Sequence, residues 1–537
     1  CLDLGVPRLK MLIFASMFVR KKANKTGSVS VQAIEKSRCG GYKVRKTFGC
    51  SSDPADIELL YREARQWVRD QKGPSLFPDE DENARIYDMQ FESISQSQLR
   101  LAGPDMVYGT LFDRIGYGRV ATSDPVLFRA LVVARLYRPG SKLRTVEYLR
   151  RFMHVDYSVD RVYRFLDELC LREDADGSGG VKRQVEQISF AHTREVVGGE
   201  VSVVFYDTTT LYFESREDDV RVPGYSKDGK HSNPQVVLGL LVGAGGNPIG
   251  YELHKGNRYE GDTLLPIIRK MEKRFGLSRP TVIADAGLLN KTNVKELEQG
   301  GYCYILGARI RALRQDLKDE ILGWGLDNGQ SAELSDGGRR LIVTMSGKRA
   351  AKDASERAKG IERLRKRFAT GRITKQSVNN RGYNSLLSLT GEMTVQIDEK
   401  KIESASRLDG LKGYLTNSRL AAGEIVDNYR HLFMIERAFR FNKTDLDIRP
   451  MYHRLLNRIE AHVCICFTAY SVMLELERVL KASCCGISLH RAMFLAENIH
   501  ELNYINPYSM KAKSVLLKTE HDDEVDTLLK VLKEGKS

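Results

Sequence analysis

Val201-Ser202-Val203-Val204-Phe205-Tyr206-Asp207 is apolar at nearly every position and then meets a carboxylate. A run with so little polar alternation predicts a strand buried on both faces. Further elements follow at close spacing. Val236 to Val242 and Ile249 to Leu253 predict a hairpin around Gly245-Gly246-Asn247-Pro248, and Leu264 to Phe275 has the apolar spacing of a helix. Thr281 to Ala284, which runs straight into Asp285, predicts another buried strand; Asn290 to Leu297 predicts a helix and Tyr302 to Leu306 a fifth strand.

Three strands, helix, strand, helix, strand is the order of an RNase H-like core before its last helices. The expected fold is therefore α/β: an RNase H-like mixed five-stranded sheet with helices, interrupted by a β-rich insertion domain. Residues 200–306 form the first part of that core, and 307–416 the insertion, with strands at Leu341 to Met345 and Met393 to Ile397 and a polar helix from Ala350 to Phe368. Residues 417–475 form its last part, a helix from about Ala422 to Asn442 followed by a strongly apolar one from Arg458 to Val479; 476–537 reads as C-terminal helices suited to dimerisation.

Toward the N-terminus, 1–16 is expected to be upstream translation, with Met11 or Met17 as the start. Residues 17–73 read as a basic hairpin around Gly40-Gly41 followed by a helix, and 74–105 as a linker. Residues 106–199 read as helical, with a candidate helix-turn-helix in Thr145 to Phe152 and Val159 to Leu169, for which an ordinary helical bundle is the plainer account.

The 537 residues carry a formal net charge of +14, which favours a polyanionic partner, whether DNA, RNA or anionic lipid. Two segments concentrate the charge. Residues 20–46 hold nine Lys or Arg against Glu35 alone, and residues 348–381 hold twelve against three acids. The nine cysteines form no Cys-x-x-Cys pair and are expected as reduced thiols. Met11 to Val19 is too short an apolar run for a membrane span, so neither a membrane nor export is expected.

Asp207 and Asp285, each after an apolar strand, are the first candidate catalytic residues. Singly, either is explained as a chance acid or a helix N-cap; together, on the first and fourth strands of one core, they suit oxygen ligation of divalent cations for phosphodiester chemistry. Glu436 is the third. On a helix at about 100° per residue, Tyr429, Leu432, Arg440 and Lys443 fall within roughly 40° of it, so a phenol and cations flank the carboxylate. A solvated Glu436 to Arg440 pair is the simpler account of the helix alone.

These residues resemble the DDE transposases of bacterial insertion sequences, specifically the insertion-sequence-four type with an enlarged gap before the glutamate. That family's signature is Tyr, two residues, Arg, three residues, Glu, six residues, Lys. Tyr429, Glu436 and Lys443 match it, while Leu432 holds the arginine position, and Arg440 is read as its substitute. Similarity also covers Tyr206-Asp207-Thr208-Thr209, Gly224-Tyr225-Ser226-Lys227-Asp228-Gly229, Ile283-Ala284-Asp285-Ala286-Gly287, Asp409-Gly410, Thr416-Asn417 and Ile448-Arg449-Pro450.

The resemblance implies that Asp207, Asp285 and Glu436 hold two Mg²⁺ ions per site, with Mn²⁺ as a substitute. It implies an enzyme that binds terminal inverted repeats, cuts double-stranded DNA and joins the 3′-hydroxyl ends to a target, as a homodimer in a paired-end complex in the bacterial cytoplasm, associated with the nucleoid. Tyr429, Arg440, Lys443, Lys227, Lys230, Arg449, Arg20, Lys21 and Lys22 are the expected DNA contacts. Two rivals remain: an RNase H-like nuclease or resolvase without strand transfer, and a DNA-binding protein that has lost catalysis.

Overall fold

The computed structural model describes residues 17–25, 27–36, 41–72, 98–169, 180–213, 221–224, 233–336, 338–370, 377–379, 382–390, 394–444, 446, 448, 453, 455–505, 511–518 and 522–534. They fall into two compact units, residues 1–95 with 504–512 and residues 96–503 with 513–537.

In the first unit β1 (Met17–Ala23), β2 (Val29–Lys36) and β3 (Tyr42–Ser51) form an antiparallel sheet in that order, and α1 (Pro54–Lys72) packs on it. β2 is the middle strand, so its alternate residues Val31 and Ala33 are buried, with Ala64 and Val68 of the helix. Ile34 is buried as well because the pairing with β3 shifts register between Ala33 and Ile34. The ribbon expected around Gly40-Gly41 is the β2–β3 hairpin, widened by β1; residues 37–40 of its turn lie outside the described residues.

The second unit opens with β4 (Leu99–Leu101) and helices α2 (Thr110–Ile115), α3 (Pro125–Tyr137), α4 (Lys142–Tyr148), α5 (Val159–Leu169) and α6 (Val181–Val196). α4 continues as a wider turn through Met153 before α5. A large sheet follows: β5 (Val203–Tyr212), β6 (Gln235–Val242), β7 (Pro248–Lys255), helix α7 (Leu264–Phe275), β8 (Thr281–Ala284), helix α8 (Lys291–Gln299) and β9 (Tyr304–Ala308). β5 pairs antiparallel with β6, and β6 with β7, whereas β8 is parallel to both β5 and β9.

The apolar runs are continuous because this sheet is covered on both sides. Val204, Tyr206, Val282, Ala284, Tyr304 and Leu306 point into a core with α7 and α8, while their neighbours Phe205, Ile283 and Ile305 point into the opposite core. Successive strand residues face opposite ways. Asp207 and Asp285 follow Phe205 and Ile283 by two positions, so both belong to that second face.

After β9 the chain forms α9 (Gln315–Gly323), β10 (Ser331–Asp336), β11 (Arg339–Met345), α10 (Gly347–Ala369), the small pair β12 (Leu387–Thr390) and β13 (Thr394–Ile397), α11 (Glu399–Ser406) and β14 (Leu411–Thr416). This is the stretch expected as an insertion, and three of its strands extend the main sheet. The sheet has eight strands in the order β10-β11-β14-β9-β8-β5-β6-β7. Last come α12 (Ala422–Arg430), α13 (Phe433–Thr444), α14 (Leu456–Ser483), α15 (Leu489–Glu497), β15 (His500–Ile505), β16 (Ala512–Leu517) and α16 (Asp522–Glu534).

Two expectations change at the site. Asp207 does not end its strand: β5 runs on to Tyr212, because Thr208, Thr209 and Thr210 pair with Gly239, Leu238 and Val237 and are buried there. The helix expected from Ala422 to Asn442 is two helices. His431 and Leu432 join them through short bonds, His431 N to Asn428 O at 3.2 Å and Leu432 N to Tyr429 O at 3.1 Å, which tighten the turn.

α14 is apolar nearly all round and is buried along most of its length, as a helix at the centre of a large unit must be. Among the described residues no helix is long and apolar enough to cross a membrane. His462 lies in its buried wall, within 3.5 Å of Arg135 through Nδ1.

Near the other end of α14, Glu475 is almost fully buried and is bonded to Arg478 at 2.7 Å and to His192 of α6 at 3.1 Å. Burial alone would raise its carboxyl, but the bonds from Arg478 and His192 outweigh it and bring the group down to about 2. A carboxylate lowered on folding stabilises the fold above its usual 4.5 and loses that contribution as pH falls toward about 2. The shift corresponds to roughly 3 kcal/mol. Glu475→Gln is therefore expected to lower the melting temperature at pH 7 by several degrees and to converge with the parent near pH 2. Melting curves between pH 7 and pH 2 test this; a gap that stays constant would mean that the charge is not responsible.

Candidate active site

The first two carboxylates are placed by strand register. In the parallel β5–β8 pair Tyr206 stands opposite Ala284, so Asp207 is the next residue on β5 and Asp285 the first beyond the end of β8. Asp285 opens a turn closed by Leu288 N to Asp285 O at 3.0 Å and anchored by the buried Leu288. Each aspartate Oδ1 also accepts from the following amide, Thr208 N at 2.7 Å and Ala286 N at 2.6 Å. These bonds hold the carboxylates toward the sheet edge.

α12 and α13 lie across this face, α12 on β8 and β9 and α13 on β5. They bring Tyr429 and Glu436 to the same cavity as Asp207 and Asp285, about 830 Å³ in volume. Tyr429 is buried, and its hydroxyl donates to Asp285 Oδ1 at 3.5 Å. Burial, and then the charge of Asp285, push the phenol far above its ordinary value, so it stays a neutral donor. Gly307 makes room for it: a methyl group there would stand 2.3 Å from the Tyr429 hydroxyl and 2.9 Å from the Ala286 amide nitrogen. Glu436 is exposed and, among the described residues, makes no ion pair.

The remaining expected residues are distributed differently. Leu432, at the signature's arginine position, is buried and lines the cavity, while Arg440 is exposed on α13 and neither it nor Lys443 lines it. Arg20 donates to Gln32 at 3.1 Å within the first unit, Lys21 pairs with Glu58 at 2.9 Å over the Tyr61 ring, and Lys22 is exposed. Lys227, Lys230 and Arg449 lie outside the described residues.

Cations outside the expected DNA contacts complete the walls: Arg309, Arg311, Arg349, Lys412 and Arg430, the last of which helical periodicity sets well round from Glu436. Arg349 belongs to the basic stretch at 348–381, but its place here follows only from the path of α10. Lys412 sits between Asp409-Gly410 and Thr416-Asn417, on a strand that the sequence pattern did not reveal. Its ammonium stands 4.5 Å from the Tyr429 ring centre and 5.5 Å from that of Tyr414. Desolvation and then Arg349 lower it, against the pull of Asp285 and Glu436.

Three carboxylates are the hard oxygen donors that Mg²⁺ or Mn²⁺ prefers, so the donor chemistry fits a divalent cation. Among the described residues no three His, Cys, Asp or Glu side chains are gathered tightly enough to hold a metal as they stand. Like charges in one cavity repel until a cation lies between them.

A family model described as a transposase DDE domain matches residues 199–472, just over half of the chain. Among solved structures, similarity extends to a piggyBac transposase synaptic complex with hairpin DNA, at 11% identity over 73% of this chain and 76% of that one, with a TM-score of 0.38. It also extends to the Mos1 mariner paired-end complex with Mn, at 14% identity over 31% of this chain and 54% of that one, with a TM-score of 0.14. A comparison with curated proteins gives no match.

Gly307→Ala is expected to displace Tyr429 from Asp285 and to cost about 1–3 kcal/mol, as overpacking does in a close-packed interior. Chemical denaturation measures this. Pairing it with Tyr429→Phe tests the cause, since removing the hydroxyl should recover part of the loss; an undiminished penalty would move the clash elsewhere.

Proposed function

The chain belongs to the transposase DDE domain family, and from that premise we propose that it is a bacterial insertion-sequence transposase. It binds the terminal inverted repeats of its element, cleaves the DNA and joins the 3′-hydroxyl ends to target DNA, as a homodimer in a paired-end complex on the nucleoid. The observation that carries this reading is the juxtaposition of Asp207 and Asp285 by the β5–β8 register, with Glu436 across the same cavity. We read β5 to β9 and the helices after β14 as an RNase H-like core.

Members of the family generally use divalent metal ions. Asp207, Asp285 and Glu436 would hold two Mg²⁺, or Mn²⁺ in its place, and such ions activate a water or 3′-hydroxyl and neutralise charge on the phosphate. The chain's own groups do the rest. Asp207 within β5 and Asp285 in the turn directly after β8 are held by the sheet, so their oxygens stay aligned as substrate arrives, while Glu436 approaches from a helix that closes the site from the side. Tyr429, neutral and seated on Gly307, orients Asp285. Arg440 and Lys443, on α13 outside the cavity lining, would contact the duplex away from the cut.

Arg20, Lys21 and Lys22 with the rest of the basic first unit, Lys227, Lys230 and Arg449, and the basic helix α10 supply phosphate contacts. Such contacts position a duplex but carry no sequence information.

The test is purified full-length protein with Mg²⁺ and labelled DNA carrying the inverted repeats that flank the gene. Joined product supports the proposal, cleavage without joining indicates a nuclease or resolvase, and bound but uncut DNA indicates lost catalysis. Asp207→Asn, Asp285→Asn and Glu436→Gln should each reduce cleavage by about a thousandfold or more, with end binding within about threefold. An active Glu436→Gln enzyme would remove that residue from the site. Chelating the metal should stop cleavage of the parent and leave binding.

A further inference from the structure

Resting on the reading of this cavity as a phosphodiester site, we infer that Lys412 holds the scissile phosphate, its ammonium bonding a non-bridging oxygen of the DNA backbone. The position is set by strand pairing. β14 runs antiparallel to β9, with Tyr414 opposite Gly307 and Gly413 opposite Ala308, so Lys412, two residues from Tyr414, lies where β9 ends and on the same sheet face as Tyr414. The ends of β8, β9 and β14, beside the middle of β5, thus border the site.

The other cavity cations are occupied or peripheral. Arg311 bonds Asp409 at 3.1 Å, Arg349 pairs with Asp353 at 3.7 Å, Arg430 pairs with Asp427 at 2.8 Å, and Arg309 is exposed. Lys412 is half-buried and, among the described residues, makes no ion pair, although it lines the cavity with Asp285 and Glu436. The rings of Tyr414 and Tyr429 stabilise its charge and restrict its stem without supplying an anion. Leu432, on the same wall, has no donor to offer. Once the carboxylates are engaged by cations, the anion left for this ammonium is the phosphate itself, and a preorganised cation at that oxygen stabilises the charge that builds during displacement.

The experiment uses the full chain, Mg²⁺ and inverted-repeat DNA bearing either the natural linkage or a neutral methylphosphonate at the cleavage position. Lys412→Met is expected to cut the natural linkage about 10- to 100-fold more slowly than the parent, and the methylphosphonate less than about threefold more slowly. Lys412→Arg should recover most of the rate. Without metal, the slope of log affinity against log salt should fall by about 0.9, the value for one lost phosphate contact. A Lys412→Met enzyme that cuts normally, or that loses the same factor on both linkages, would overturn the assignment. If the methionine variant does not fold, Lys412→Gln takes its place. Should the parent bind DNA without cutting it, the transposase reading fails, and the salt slope alone then decides the role of Lys412.

Discussion

The parallel pairing of β5 with β8 is the constraint on which the site depends. Because Tyr206 stands opposite Ala284, the residues that follow are both aspartates and both face the helices. A slip of one residue would turn one carboxylate into the opposite core. The register is held by burial on both faces: Val204, Tyr206, Val282 and Ala284 fill one core while Phe205 and Ile283 fill the other. Moving either strand would place polar atoms where neither core accepts them.

The third carboxylate depends on a different device. α12 and α13 are separate helices joined by a tightened turn, and the first is keyed to the sheet where Tyr429 lies over Gly307. Tyr414 meets the same ring edge-on, with centroids 4.9 Å apart. This aromatic wedge fixes the angle at which α13 starts and so the side from which Glu436 reaches the cavity. Behind it α14 packs against α13 and supplies much of the apolar core to which both helices contribute.

Much of this was legible in the residues. Thr281 to Ala284 and Leu264 to Phe275 read correctly to the residue, since burial on two faces and helical amphipathicity leave strong local patterns. Asp-Thr-Thr-Thr after Tyr206 looked like a strand end, because the burial of three threonines is decided by a partner strand. β10 and β14 were not read at all: the first is polar, and the second draws its stability from pairing with β9 and β11 across long sequence separations. The helix around 422–442 looked continuous because nothing between Tyr429 and Phe433 forbids helix, and the break follows from packing.

The amino-acid sequence by itself determined the kinds of chemistry on hand: three carboxylates behind apolar runs, a phenol, and a strongly basic surround. It did so because burial and helical periodicity act over a few residues and leave local traces. Only the tertiary structure decided that the supposed insertion shares the main sheet, that Arg440 stays outside the cavity, and that Lys412 stands within it. Those outcomes depend on register between distant strands and on the angle between packed helices, which no local pattern encodes.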